Sequence, residues 1–290
     1  MSAESTKDFF GHPSGLKTLF FTEMWERMSY YGMRGMLVLF MTAAIADGGL
    51  AVGTATAVAI YGLYTASVYF MGLPGGWIAD RLIGSQKAVW YGGIVIMCGH
   101  IVLAIPNTNA FFAGLILVIL GTGLLKPNIS AMVGQLYSSD DERRDSGYAL
   151  YYMGINIGSV IGYIVCGGLA EKIGWHWGFG AAAVGMAFGL IVFHFTKPML
   201  KGAGEFPASP MEPKAQRNSW SIIGLGLIAI VVAAVLMMSG AFTVDPIAVS
   251  KGTTVFFIAV FIAYFCWIYF GGNLNKVEKK AMWALLLVCV

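Results

Sequence analysis

Between Leu16 and Ile45 runs a segment long enough and, at most positions, apolar enough to cross a bilayer, yet its middle reads EMWERMSYYGMR. Two glutamates, two arginines and two tyrosines share those twelve residues. An ionised side chain at the bilayer centre costs roughly 2.5–3.5 kcal/mol on insertion scales, and such residues face a protein interior or a water-filled cavity. A chain carrying this segment must therefore build protein around it. At about 100° per residue, Glu23, Arg27, Tyr30 and Arg34 share a narrow arc, with Glu26 and Tyr31 at its edges. Glu23 and Arg27 stand four apart in the favourable order.

The rest of the chain supplies such surroundings. Of its 290 residues 58% are hydrophobic and 11% charged, with a mean hydropathy of +0.73, whereas a soluble domain carries about 25% charged residues. Lipid is the solvent, and helices satisfy their own backbone groups there. The fold class is an all-α polytopic membrane protein. Candidate crossings fall at 16–45, 54–79, 88–105, 111–135, 147–170 and 175–196, then at 220–241 and 252–271. The expected organisation is an N-terminal segment over 1–15, a six-helix bundle over 16–196, a solvated linker rich in Pro, Gly and charge over 197–219, a helix pair over 220–272, and a closing stretch over 273–290. The polar start carries no cleavage site and is expected to be retained. The run AMWALLLVCV after Lys280 is half of what a crossing needs and reads as a span cut short.

Basic residues orient the helices. Thirteen of the eighteen lie in loops on one side: Lys7, Lys17, Arg81, Lys87, Arg143, Arg144, Lys197, Lys201, Lys214, Arg217, Lys276, Lys279 and Lys280. The opposite loops hold Lys172 and Lys251, so the N-terminus and the linker are predicted to be cytoplasmic. Confinement of the positive charge to one membrane face also argues against a nucleic-acid partner. The four cysteines and four histidines have no metal-ligand spacing, and no nucleophile–base pair stands out, so neither an enzyme nor a bound cofactor is expected.

Three cations remain inside the spans, Arg27, Arg34 and Lys126, against two anions, Glu23 and Glu26. Lys126 precedes Pro127, which loosens the helix beside the charge, and is the expected partner for the charges of the first crossing. One positive charge is left over, which suits an anionic ligand group. Burial and neighbouring cations act oppositely on a glutamate here, so it can respond to a proton gradient. In helix 5 Gly154, Gly158 and Gly162 form a small-xxx-small packing stripe, while Tyr152 and Asn156 pair on roughly the opposite side as cavity lining.

These stretches carry a specific resemblance. EMWERMSYYG resembles the ExxERFxYYG signature of the proton-dependent oligopeptide transporter family, within the major facilitator superfamily. GGWIADRLIG resembles the superfamily's loop after helix 2, LLKPNISAMVG the family's FKPN helix 4, and DSGYALYYMGINIGS its FYxxINxGS helix 5. Met28, Leu125 and Tyr151 stand where phenylalanine is usual. The resemblance implies the N-terminal six-helix bundle of that superfamily plus the extra helix pair of bacterial members, helix 7 starting near 280, and a C-terminal bundle largely absent from this chain. It implies a multi-pass protein of the bacterial plasma membrane that imports di- and tripeptides together with protons by alternating access, within membrane lipid and without a cofactor. Carried over, Glu23, Glu26, Arg27 and Lys126 match the proton-coupling motif, and Tyr31, Arg34, Tyr69, Lys126, Tyr152 and Asn156 match pocket positions. Relatives differ in substrate, so another anionic solute such as nitrate or a conjugated metabolite is the alternative, and a membrane scaffold that transports nothing is the alternative of a different class.

Overall fold

The computed structural model describes residues 9–272 and 275–289; Lys7, most of the 1–15 segment, positions 273 and 274 and Val290 lie outside them. Nine helices follow one another along the described residues, and no strand appears among them. They are α1 (Gly15–Thr42), α2 (Thr54–Ile83, closing in a π turn), α3 (Ser85–Leu103), α4 (Thr108–Gln135), α5 (Arg144–Lys172, with a π turn at Tyr163–Gly167), α6 (Trp175–Thr196), α7 (Pro213–Met238), α8 (Pro246–Gly271) and α9 (Lys276–Cys289). Seven of them, α2 to α8, are long and apolar enough to cross a membrane. The chain divides into two compact units, Met1–Thr243 and Val244–Val290.

In the first unit α1 is the central element. It packs on α5, α6 and α2, while α4 packs on α3 and α2, and α3 closes on α6. Nineteen of its 28 residues are buried: its neighbours are protein, so its polar residues need not dissolve in hydrocarbon. Two apolar cores flank its charged middle. Leu16 and Leu19 join Ile129, Met186 and Phe193 below it, and Met33, Leu37 and Phe40 join Phe111 and Phe179 above it. The charged layer is thus sealed at both ends by close packing.

The stripe of α5 glycines performs this packing. A side chain at Gly158 would strike the Met24 carbonyl and Arg27 Cβ, one at Gly162 would strike the Met28 carbonyl, and one at Gly154 would press on Phe20. By contrast, α7 buries only Ser219 and α8 buries no residue. Uniformly apolar helices with exposed flanks belong in lipid. The α8 start is set locally by the Asp245 carboxylate, which accepts from the Ile247 N–H at 2.9 Å, with Pro246 at the first helical position.

The stretch after α6, expected to be solvated, is partly bound to the bundle. Leu200 is buried, the Thr18 hydroxyl donates to the Thr196 carbonyl at 2.9 Å, and Gln86 donates from its side chain to Ala203 O and from its backbone to Gly204 O, each at 2.8 Å. Ser209 N donates to Asp80 O at 2.9 Å. Those contacts run mainly through backbone groups, which composition does not reveal.

Candidate functional site

On α1, Arg27 takes both glutamates. Its Nε lies 3.2 Å from Glu23 Oε1 and also donates to Glu26 Oε2. All three side chains are at most 1% exposed. The i,i+4 spacing puts Glu23 one turn before Arg27, and Glu26, adjacent in sequence, reaches the same guanidinium. The Arg27 guanidinium carbon sits 4.8 Å from the centre of the Tyr30 ring. Glu26 Oε1 and Arg27 Nη2 are buried with no partner in the protein. A buried polar atom without a partner costs about 1–3 kcal/mol.

The other two cations are held differently. Arg34 is half-buried; its Nε donates to the Tyr61 hydroxyl and its guanidinium lies 5.3 Å from the Tyr61 ring centre and 6.0 Å from that of Tyr31. Lys126 Nζ stands 4.9 Å from the centre of the Tyr69 ring. No carboxylate among the described residues lies within 4.0 Å of either cation. The expected partnership of Lys126 with the α1 glutamates is not made as an ion pair: Arg27 already takes both. Counting signs leaves one surplus charge; the geometry leaves two cations without an acid. Tyr61 and Tyr69 are eight residues apart, so the two anchors are spaced about 12 Å along α2.

Tyr152 is 59% exposed and Tyr69 61%, and Asn156 is exposed on the α5 side opposite the packed glycines. Tyr31 thus stands beside Arg34 on α1, and Tyr69 of α2 beside Lys126 of α4; Tyr152 and Asn156 stand on α5, four residues and one turn apart. Two residues escaped sequence reasoning: Tyr61, and Tyr64, which is buried with its hydroxyl unpartnered. The available signal was the recurrence of tyrosines at 61, 64 and 69 in an otherwise apolar helix, where a hydroxyl requires a polar neighbour.

Residues 86–235 match the model of the POT family. The chain belongs to the POT family. It is a multi-pass membrane protein of a transporter family, with a major-facilitator-type fold. It is 44% identical over 279 residues to an uncharacterized transporter of Bacillus subtilis, YclF, covering 95% of this chain and 56% of that one. It is 46% identical over 232 residues to the di-/tripeptide transporter of Lactococcus lactis, covering 79% of this chain and 46% of the relative. The crystal structure of a peptide transporter POT in complex with sulfate superposes with a TM-score of 0.84 at 42% identity, over 97% of this chain and 57% of that chain. The chain therefore spans about half the length of the POT relatives it matches. The match over 97% of this chain includes α1 with its charged middle.

Proposed function

We propose that this chain forms the carboxylate-binding half of a proton-coupled symporter that imports di- and tripeptides across the bacterial plasma membrane by alternating access. The observation that carries this reading is the pair Arg34 and Lys126, each held against an α2 tyrosine and neither neutralised by a nearby acid. A peptide carboxylate supplies the missing negative charge; Tyr31, Tyr69 and Tyr152 contact its side chains, and the Asn156 amide hydrogen-bonds its backbone. The Lactococcus relative supports the substrate class. Coupling resides in the Glu23–Glu26–Arg27 triad: protonating one carboxylate weakens its hold on Arg27, and the freed guanidinium moves towards Tyr30 or the other acid. Protons serve as the coupling ion and no cofactor takes part. The Lys and Arg asymmetry supports a cytoplasmic N-terminus.

The test is uptake of di-alanine into proteoliposomes with an alkaline interior. Uptake is expected to require the proton gradient and to fall at least tenfold in Arg34→Gln. Uptake that persists when the gradient is collapsed overturns coupling. The same excess of cations favours a second reading, transport of another anionic solute; it holds if nitrate or a conjugated metabolite is taken up and di-alanine fails to compete.

A further inference from the structure

Tyr163 stands on α5 where the π turn Tyr163–Gly167 begins, and π turns recur at functional sites. It belongs to neither apolar core and is 52% exposed, so packing leaves half of its surface uncommitted. The ring is nevertheless placed. Its centre lies 6.2 Å from that of Tyr31, with the two planes at 44°. Its rim rests on Gly35 of α1, where a Cβ would stand 2.7 Å from Tyr163 Cε1 and 2.9 Å from Cδ1. The missing side chain at Gly35, next to Arg34, is what admits the ring there.

This position joins Tyr163 to residues already assigned to the peptide site. The Tyr31 ring is shared between the Arg34 guanidinium, 6.0 Å from its centre, and Tyr163. Along α5, Tyr163 follows Asn156 by seven residues and Tyr152 by eleven, within about 20° of two and of three full turns, so these three exposed residues share one face. Asn156 and Tyr163 are about 10 Å apart along the helix axis, close to the length of an extended tripeptide. A peptide whose backbone meets Asn156 and whose carboxylate meets Arg34 brings its C-terminal side chain to the Tyr31–Tyr163 wall.

The surroundings of that wall choose the side chain. Arg27 and Arg34 lie 5.8 and 6.0 Å from the Tyr31 ring centre, so a basic side chain is repelled there. An acidic one meets the negative faces of the rings, whereas a third ring can pack edge to face against the tilted pair. We propose that Tyr163 is a specificity-determining residue that, with Tyr31, favours peptides whose C-terminal residue is aromatic. The assignment rests on the peptide reading and adds to it a side-chain preference.

Competition against labelled di-alanine in proteoliposomes of the full chain tests it. The wild type is expected to prefer alanyl-phenylalanine to both di-alanine and phenylalanyl-alanine. Tyr163→Ala reduces the preference for alanyl-phenylalanine over di-alanine by about 2- to 10-fold and leaves di-alanine binding unchanged, while Tyr163→Phe, which keeps the ring, retains the preference. Should Tyr163→Ala not fold, Gly35→Ala, whose methyl displaces the ring, carries the same comparison. An unchanged ratio of the two peptides in the ring-deleted or ring-displaced variant overturns the proposal. Equal losses for every peptide together with a lower thermal midpoint overturn it too, since Tyr163 is then a packing residue. A wild type that binds neither di-alanine nor alanyl-phenylalanine overturns the peptide reading itself and this assignment with it.

Discussion

The ammonium of Lys126 on α4 lies 4.9 Å from the centre of the Tyr69 ring on α2, with no carboxylate within 4.0 Å among the described residues. A cation held by a ring quadrupole keeps its full charge for an incoming anion, which a salt bridge would have neutralised. The contact is worth about 0.5–2 kcal/mol. Tyr69→Ala is expected to weaken peptide binding by about 2- to 30-fold, and Tyr69→Phe, which keeps the ring, to leave it near the wild-type value. Competition binding across the two variants checks this; equal losses would mean the hydroxyl, not the ring, is what matters.

Arg34 depends on Tyr61 in a comparable way, through a hydrogen bond from Nε. Tyr61→Phe removes the acceptor at a cost of about 0.5–1.5 kcal/mol, so the KM for uptake is expected to rise up to about tenfold with an unchanged thermal midpoint. Arg34→Lys is not expected to restore binding, since an ammonium lacks the planar fork that can bond Tyr61 and a carboxylate together. A fall in the midpoint equal to the effect on KM would make Tyr61 a packing residue only.

Removing Arg27 leaves Glu23 and Glu26 buried and unpaired. Breaking a buried ion pair costs about 3–5 kcal/mol, so Arg27→Ala is expected to fold poorly and Glu26→Gln to fold well. The latter should keep peptide exchange between two equal pools yet lose gradient-driven accumulation. Accumulation that survives in Glu26→Gln would remove Glu26 from the coupling path, and the same comparison applies to Glu23→Gln.

The approach of α5 to α1 rests on Gly158, where any side chain meets the Met24 carbonyl, while Gly167 has open space around it. Overpacking costs about 1–3 kcal/mol. Gly158→Val is expected to lower the thermal midpoint and disturb the Arg27 cluster, whereas Gly167→Ala leaves both intact. Melting curves of the two variants decide it.

Outside the membrane, Asp141 accepts from the Arg143 Nε and Nη2 and from its backbone N–H, at 2.9–3.0 Å. These bonds, the guanidinium's first, hold its carboxyl below the usual carboxylate range. Because the folded value is depressed, the contribution to holding the α4–α5 loop is present above the unfolded value and is lost as pH falls through the folded one. Arg143 also donates to Gly11 O at 3.0 Å, so amide exchange around Gly147 and the Gly11 turn is expected to stay slow at neutral pH and quicken together below the ordinary carboxylate range. Asp141→Asn should show the fast exchange at every pH.

Much of the architecture was legible in the sequence because a bilayer imposes one simple rule, a long apolar run for each crossing. α1 shows the limit of that rule: hydropathy alone passes it over, and its motif EMWERMSYYGMR identifies it as a span only once its charges are read as facing protein. The grouping of Glu23, Glu26 and Arg27 was also visible, since residues three and four apart on a helix are neighbours whatever surrounds them.

Partner choice between helices was decided only by the tertiary structure. Sequence signs leave Lys126 free to match the glutamates; in the packed bundle both acids are on Arg27 and Lys126 stands over the Tyr69 ring instead. The role of Tyr61, and the docking of 197–209 through backbone groups of Ala203, Gly204 and Ser209, were hidden for the same reason. Local periodicity determines which face of a helix is polar, but electrostatic and hydrogen-bond partners separated by tens of residues are selected by distances of a few ångströms that exist only after the helices have packed.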